Sequence, residues 1–304
     1  MRDETKGVLA MIAACSVWGL SGIYYKALDH VPPLEVLCHR TLWGFVFFLV
    51  VLGIQGRLRA VPRTIDTPRK FAIVLTATLM ISLNWFVFIS SIHFGHATEA
   101  SMGYYIFPLT AVLAGAIFYK EKLNRPQMIS VGLAAIAVII LSAGLQVAPW
   151  VALILAFSFA VYGVVKKSLD TGPVVSVTVE VAILSPFALA WLVVIHSGGT
   201  GHFGADAVTT IMLMVAGVIT AIPLILFSYA TRRVSLATIG LVQYLNPTLQ
   251  FLVATLVFRE LFTLWHAIAF ALIWTALAIY TASSLRRGRA LRKAARAAGT
   301  SGTT

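Results

Sequence analysis

The sequence predicts an all-α integral membrane protein with ten transmembrane helices. Hydrophobic residues make up 59% of the 304 residues and charged residues only 11%, whereas soluble domains average about 45–50% and about 25%. The mean hydropathy is +0.90. The apolar residues form continuous runs of about 20 residues, the length that a helix needs to cross the hydrocarbon. They do not alternate as the strands of a membrane barrel would.

Ten such runs follow one another along the chain, and each is bounded by charge, Gly or Pro. The first run follows a short charged segment, but it is too long for the apolar region of a signal peptide, and no small-residue cleavage site follows it. It is therefore interpreted as a span. The predicted spans are residues 7–27, 34–54, 71–92, 98–118, 127–145, 148–165, 174–195, 207–230, 235–258 and 264–284.

The cations predict the orientation of the chain in the membrane. All but three of the 23 Lys and Arg fall in the termini or in alternate loops, the exceptions being Lys26, Arg40 and Arg259. By the positive-inside rule, both termini are expected in the cytoplasm of a multi-pass protein of the bacterial inner membrane. Residues 286–304 carry six cations and no acid. They are predicted to form a disordered cytoplasmic tail beside anionic lipid, and a nucleic-acid partner is not expected.

An internal repeat divides the spans into two groups of five. The short sequences KALD at 26–29 and KSLD at 167–170 match, and a shift of 139 residues aligns several positions farther along. These aligned pairs are Tyr105 with Tyr244, Pro108 with Pro247, and Glu121 with Glu260. Because five is odd, the second group must enter the membrane inverted. The predicted halves are residues 1–146 and 147–285, an architecture found in transporters with a site between the halves.

Three stretches carry a resemblance to a known family. The segments at 35–43 (EVLCHRTLW), 83–109 (LNWFVFISSIHFGHATEASMGYYIFPL) and 241–260 (LVQYLNPTLQFLVATLVFRE) resemble the RarD-type branch of the EamA family, within the drug/metabolite transporter superfamily. The resemblance implies a ten-helix carrier of two inverted five-helix repeats around a central cavity. It also implies export of amino acids or related metabolites by several members, but it does not specify a substrate.

Two prolines predict which spans line the centre. Pro108 and Pro247 lie near the middle of the fourth and ninth spans. Each removes an intrahelical hydrogen bond, and the freed carbonyl is tolerated in lipid only where neighbours or a water-filled cavity satisfy it. Both spans are therefore expected to face inward, with the prolines as hinges.

Aromatic and amide side chains within the spans are the candidate substrate contacts. Two alternative roles remain open. Tyr162 and Tyr229 are also typical of anchors at the membrane interface. Asn84 and Gln243 also suit hydrogen bonds between helices. The full set of predicted substrate-binding residues is Trp18, Asn84, Trp85, Glu99, Tyr104, Tyr105, Tyr162, Tyr229, Gln243, Tyr244 and Asn246.

Charged residues at membrane depth are functional candidates by default. Arg40 and Glu180 occupy matching positions in the two halves, each about 9 Å from an opposite face of a core about 30 Å thick, so a direct salt bridge between them is not expected. Arg40 could extend outward toward Glu35 or Glu99, with Glu99 as a structural helix cap. Alternatively, Glu99 and Arg40 hold the ends of a zwitterion. The residues assigned to gating or charge coupling are Arg40, His93, His96 and Glu180.

The sequence carries no recognisable catalytic, nucleotide-binding or metal-binding motif, so neither enzymatic activity nor a cofactor is predicted. A carrier, a channel-like pore and an accessory membrane protein remain open, and the inverted repeat favours the carrier. A lining with few formal charges suits a small, overall neutral amphipathic cargo. The prediction is export of amino acids by alternating access, with hydrophobic drugs or other metabolites as the alternative cargo. The expected partners are the small-molecule substrate and the lipid bilayer, and a monomer is sufficient for transport.

Overall fold

A computed structural model gives the fold and describes residues 2–120, 123–146, 149–167, 169, 171–231, 233–234 and 236–300. In this part of the chain, eight helices are long and apolar enough to cross a membrane. Two shorter apolar segments, Trp150–Lys166 and Leu241–Val257, accompany them, and the second is interrupted at Tyr244. The described residues contain no β-strand beyond one isolated bridge between Phe203 and Asp206. The prediction of an all-α, multi-pass membrane protein of about ten helices is therefore confirmed.

The helices follow the predicted spans closely. The first six are α1 (Arg2–Ala27), α2 (Pro33–Ile54), the short α3 (Ala60–Arg63), α4 (Pro68–His93), α5 (Ala97–Tyr119) and α6 (Arg125–Leu145). They are followed by α7 (Trp150–Lys167), α8 (Pro173–Ser197), α9 (Ala207–Thr231), α10 (Leu236–Gln243), α11 (Leu245–Leu252), a π-helical segment (Val253–Val257) and α12 (Leu264–Thr300).

Local sequence explains several helix ends. A proline occupies the first position of α2, α4 and α8, where its missing N–H would have had no helical partner. Asn124 and Gln127 form a capping box that begins α6, each side chain accepting from the other's backbone N–H, at 2.9 Å to the Asn124 side chain and 3.0 Å to the Gln127 side chain. The C-terminus of α5 is set by Lys120, which adopts a left-handed conformation with φ 54°.

The ninth span differs from its prediction. The sequence predicts one helix over residues 235–258, but the structure divides the span into α10, α11 and the π-helical segment, with the break between α10 and α11 at Tyr244. Pro247 explains this position, since a proline ring clashes with the carbonyl four residues earlier, which belongs to Gln243. Pro108 lies inside α5, which continues through it to Tyr119.

The basic tail also differs from its prediction. Residues 286–300 continue α12 as helix, whereas the sequence analysis predicted disorder over 286–304. This stretch is rich in Ala, Leu, Arg and Lys, which all have high helix propensity, so an existing helix extends into it readily. Residues 301–304 lie outside the described part of the chain.

The two predicted halves interlock. The most extensive interfaces join a helix from residues 1–146 to one from residues 147–285. They are the contacts of α5 with α7, α6 with α12, α2 with α8 and α9, α4 with α7, α1 with α9 and α11, and α5 with α11. The apolar core therefore lies largely between the halves.

The loops gather at two ends of the bundle. At the first end, the loop after α8 contacts the start of α2 through His202 and Glu35, and the segment before α12 contacts the start of α5 through Glu260. The loops after α1 and α4 lie at the same end, where Asp29 and His93 are paired. At the second end, the loop before α6 approaches α12 through Asn124 and Ser283. The first end is the predicted outer end.

Candidate functional site: a buried arginine, an aromatic ladder and an ion pair

Arg40 is a buried cation within a membrane-spanning helix. It lies seven residues after Pro33, the first residue of α2, which places it about 10 Å along the helix at a rise of about 1.5 Å per residue. The residue is only 6% exposed. Its guanidinium carbon lies 4.2 Å from the ring centroid of Trp85 on α4 and 5.8 Å from that of Tyr25 on α1. These distances are those of cation–π contacts.

The aromatic contacts stabilise the charge of Arg40 without using its hydrogen-bond donors. Its Nε is buried and has no hydrogen-bond partner. Arg40 forms no ion pair with a carboxylate of the described residues. The expectation that it extends toward Glu35 or Glu99 is therefore wrong, because those acids have other partners and the two rings lie beside the guanidinium.

An aromatic ladder leads from Arg40 across the bundle. We define it by Tyr25, Phe88, Tyr104, Phe159 and Tyr162, whose successive ring centroids are between 5.8 and 6.1 Å apart. The first three contacts are edge-to-face and the last is stacked, at an interplanar angle of 8°. The first three rings belong to α1, α4 and α5, and the last two belong to α7. The ladder therefore crosses from one predicted half to the other.

An ion pair lies at the far end of this ladder, with Glu180 fully buried and the Lys166 side chain 19% exposed. Lys166, on α7, is 5.1 Å from the ring centroid of Tyr162, and its Nζ is 2.5 Å from Oε1 of Glu180 on α8. Glu180 also accepts from the Tyr162 hydroxyl at 3.2 Å and from the Ser176 hydroxyl at 3.1 Å. The expectation that Arg40 and Glu180 form no salt bridge agrees with this arrangement, since Lys166 neutralises Glu180.

Arg40 and Glu180 occupy matching positions in the predicted repeat, but their surroundings differ. The alignment of KALD with KSLD places Lys166 opposite Tyr25. In the second half, Lys166 therefore pairs with Glu180 of α8. In the first half, the ring of Tyr25 lies beside Arg40 of α2 instead. The result is one compensated charge and one charge without a counterion among the described residues.

Asn84 fixes the helices around the ladder. Its amide nitrogen donates to the Leu155 carbonyl at 3.0 Å and to the Ser158 hydroxyl at 3.1 Å, and its oxygen accepts from Tyr104 at 3.0 Å. These bonds tie α4 to α7 and α5. Asn84 is 2% exposed. Its amide therefore forms hydrogen bonds between helices in this structure, which is the alternative that the sequence left open. Its predicted contact with cargo stays a prediction.

The other predicted aromatic residues lie apart from the ladder. Tyr105 and Tyr244 pack into the core cluster of α5, α6 and α12, and the Tyr105 hydroxyl lies 2.6 Å from Thr248 Oγ1. Trp18 contacts Phe227 of α9 with ring centroids 6.1 Å apart. Tyr229 is 37% exposed, as suits an anchor at the membrane interface.

The amides of the ninth span lie near its break. Asn246 accepts from Gln250 Nε2 at 3.1 Å, one turn along the chain. Gln243, the last residue of α10, is partly buried. The structure does not join these two amides to Tyr104 and Tyr162, the predicted residues within the ladder, or to Trp85 beside Arg40.

The acidic residues of the first end serve as helix and loop ties. Glu99 lies 3.0 Å from His96 Nδ1, and Asp29 lies 3.2 Å from His93 Nδ1. Glu260 accepts from the backbone N–H groups of Ala97 and Thr98, both at 2.7 Å. Glu260 therefore caps the N-terminus of α5. Its predicted counterpart Glu121 lies outside the described residues.

Three parts of this site were not predicted from the sequence: the rings of Phe88 and Phe159, and the pairing of Lys166 with Glu180. The two phenylalanines carry no polar signal and resemble any other core residue. Lys166 was counted as a cation of an inner loop, but its position fourteen residues before the intramembrane Glu180 was a usable signal, since a buried acid requires a partner.

Two lateral grooves lie outside the ladder. One, of about 460 Å³, runs between α2 and α8 and is lined almost entirely by apolar side chains, with His39 and His196 among them. The other, of about 430 Å³, lies between the start of α4 and the ends of α5 and α7, beside Arg69. No cluster of potential metal ligands occurs among the residues that the structure describes.

Comparison with known proteins places the chain in a family. The sequence model of the EamA-like transporter family matches residues 5–143. An uncharacterized transporter of Vibrio cholerae is 40% identical, covering 96% of this chain and 97% of its own. The protein RarD of Salmonella typhi is 37% identical, covering 93% of this chain and 97% of its own. A solved crystal structure with 18% identity matches 91% of this chain and 97% of that chain at a TM-score of 0.58, which concerns the fold alone. Because its relatives match over nearly their whole length, the chain belongs to the EamA family of transporters, in the RarD-type branch of the drug/metabolite transporter superfamily.

Proposed function

We propose that the protein is a secondary carrier that exports small, overall neutral amphipathic metabolites, with amino acids as the main cargo. It works by alternating access between two inverted halves, residues 1–146 and 147–285, in the bacterial inner membrane with both termini in the cytoplasm. In this proposal a monomer suffices for transport and no chemical step occurs.

The observation that carries this proposal is the pattern of interfaces between the halves. Exchange of the halves converts the contact of α4 with α7 into that of α9 with α1, and both are present. Replacing each helix by its counterpart in the other half likewise turns the contact of α5 with α7 into the contact of α11 with α1, which is also present. The contacts of α2 with α8, α6 with α12 and α5 with α11 convert into themselves. Such an arrangement suits a carrier whose two states are related by exchange of the roles of its halves.

Backbone conformation gives independent support for the repeat. Lys120 and Arg259 are 139 residues apart, and both are non-glycine residues in the left-handed region, with φ of 54° and 55°. Lys120 follows the C-terminus of α5, whereas Glu260 binds its N-terminus. A helix of 23 residues is about 35 Å long, so the two equivalent positions lie at opposite ends of the bundle.

The ladder supports the choice of cargo. It supplies ring faces from both halves and few formal charges, and the ion pair at its far end is internally neutral. Apolar rings with a few convergent polar groups suit an amphipathic small molecule. A phosphorylated cargo would require a cluster of cations, and Arg40 has no second cation beside it in the described part of the ladder.

Transport by the purified protein in proteoliposomes tests the proposal. Uptake of a panel of labelled amino acids, with and without a pH gradient, is expected to saturate and to show counterflow for at least one member. Hydrophobic drugs in the same assay test the alternative cargo. Ohmic current without counterflow would instead indicate a channel-like pore, and absence of saturable flux for every amino acid would contradict the proposed cargo.

A further inference from the structure

We propose that Arg40 binds the carboxylate of the cargo, so that the transported class is a carboxylic acid with an apolar or aromatic remainder. This inference rests on the proposed transport function and names the group that recognises its substrate. The carboxylate would lie at the edge of the guanidinium, with its remainder against the ladder.

The first argument is the missing counterion. Arg40 carries the delocalised charge of a guanidinium, which suits a planar, hydrogen-bonded anion. It is 94% buried, and a buried charge normally has a hydrogen-bonded partner of opposite sign. The structure gives Arg40 two aromatic rings but no acid among the described residues. A cargo carboxylate would supply the missing charge.

The second argument is the geometry of the free donor. A ring face accepts the charge of a guanidinium but leaves its N–H groups available, and the buried Nε of Arg40 is unpartnered. Guanidinium donors form a planar fork that matches the two oxygens of a carboxylate. Trp85, at 4.2 Å, lies against the same guanidinium and provides apolar surface beside the fork.

The third argument is the matched position in the second half. Glu180 has Lys166, Tyr162 and Ser176 as partners and needs no ligand. At the equivalent place in the first half, Tyr25 stands where the aligned residue is Lys166. The charge of Glu180 is compensated within the second half. The positive charge of Arg40 in the first half is left for a ligand of negative charge.

Binding of an isosteric pair of probes tests the inference on the full-length protein in nanodiscs. 3-Phenylpropionate and 3-phenylpropanamide differ only in the replacement of the carboxylate by a neutral amide. The wild type is expected to bind the acid at least tenfold more tightly than the amide by calorimetric titration, and L-phenylalanine is expected to compete with the acid. Equal affinity for the two probes, or no binding of the acid, would overturn the inference.

Three variants locate the discrimination. Arg40→Gln is expected to lower the acid-to-amide ratio to about one, whereas Arg40→Lys, which keeps the charge but loses the planar fork, retains an intermediate ratio. Arg233→Gln is the matched control, because Arg233 also stacks on a ring, that of Tyr229 at 3.7 Å, but is exposed. Each variant is first required to be monodisperse and fully helical. If Arg40→Gln does not fold, Arg40→Lys and the probe pair on the wild type decide the question.

The outcomes separate this inference from the proposed function. Discrimination that depends on Arg40, without saturable flux, would support the binding site and contradict the carrier. Saturable flux that depends neither on the carboxylate of the cargo nor on the Arg40 substitutions would support the carrier and overturn the binding site.

Discussion

Two residues at equivalent places, Arg40 and Glu180, carry their charges into the membrane with different partners. Arg40 has the faces of Tyr25 and Trp85, whereas Glu180 has the ammonium of Lys166 and two hydroxyl groups. Ring faces stabilise a cation but offer nothing to an anion. This difference explains why Glu180 has its counterion within the chain, whereas Arg40 has only ring faces and a buried Nε–H group without a partner.

The ion pair gives a prediction at the residue scale. In Lys166→Met, the fully buried Glu180 loses its cation, and we expect the variant to be destabilised by roughly 3–5 kcal/mol, the usual cost of breaking a buried pair on one side. The double variant Lys166→Met, Glu180→Gln removes the lone charge and should recover most of this loss. Thermal unfolding of the purified protein in detergent measures both.

The surface pair of Lys70 with Asp66 is the matched control for this prediction. Its charges are 2.8 Å apart but 47% exposed on each side. Lys70→Met is therefore expected to change the stability by about 0–1 kcal/mol. Equal destabilisation by Lys70→Met and Lys166→Met would show that burial of the pair is not the cause.

At the scale of the helical elements, hydropathy and proline predicted most of the fold. The predicted and observed ends of the spans mostly agree within a few residues. Lipid requires long apolar helices, and charged residues and prolines in the sequence mark where these helices end. The break at Tyr244 was not predicted, although Pro247 was identified as a hinge. A proline has the same local chemistry in α5 and in the ninth span, so the neighbouring helices must decide whether the helix breaks.

The candidate site was less predictable than the helices. Arg40 and Glu180 were found because a charge inside an apolar run is visible in the sequence. The partners of Arg40, Tyr25 and Trp85, could not be assigned, since α1 and α4 reach it only through packing. The capping role of Glu260 was hidden for the same reason, since its partners lie more than 160 residues away.

The broken ninth span gives a prediction at the element scale. Pro247→Ala restores an N–H donor to the Gln243 carbonyl and removes the ring clash, so α10 and α11 can join into one helix. We expect the variant to be at least as stable as the wild type but to exchange substrate several-fold more slowly in counterflow, because the hinge is lost. Pro108→Ala is the comparison, since α5 is already continuous. Unchanged counterflow in Pro247→Ala would remove the break from the mechanism.

At the scale of the whole molecule, the inverted repeat requires Lys120 and Arg259 to face opposite compartments. Both are exposed and share the same backbone conformation, so cysteine causes a similar strain at either position. In a background that lacks the buried Cys15 and Cys38, we expect Arg259→Cys to react with an impermeant thiol reagent in intact cells. Lys120→Cys should react only after permeabilisation. Reaction of both cysteines from the same side would contradict the inverted repeat.

Links between the halves join the loops and helix starts of the first end. Glu260 binds the start of α5, Glu35 binds the N–H and Nδ1 of His202 at 2.7 and 2.8 Å, and His30 lies 2.9 Å from Thr209 Oγ1. Ala97, whose N–H binds Glu260, lines a small cavity together with Val253, which is 4% exposed. In the proposed alternating access, these links would break when the carrier opens toward the first end.

Weakening one link should therefore shift the population of states. Glu260→Gln keeps the size of the side chain but loses a charged acceptor at a helix N-terminus, worth about 1–2 kcal/mol, so the open state is expected to gain about 5- to 30-fold. The measurement is the rate at which an impermeant thiol reagent, added on the first-end side, modifies Val253→Cys in the cysteine-free background. Asp29→Asn is the matched control, because Asp29 pairs with Lys26 and His93 inside one half at the same end. An equal rate in both variants would mean that the carboxylate of Glu260 caps a helix without gating, whereas acceleration confined to Glu260→Gln would make it part of the gate.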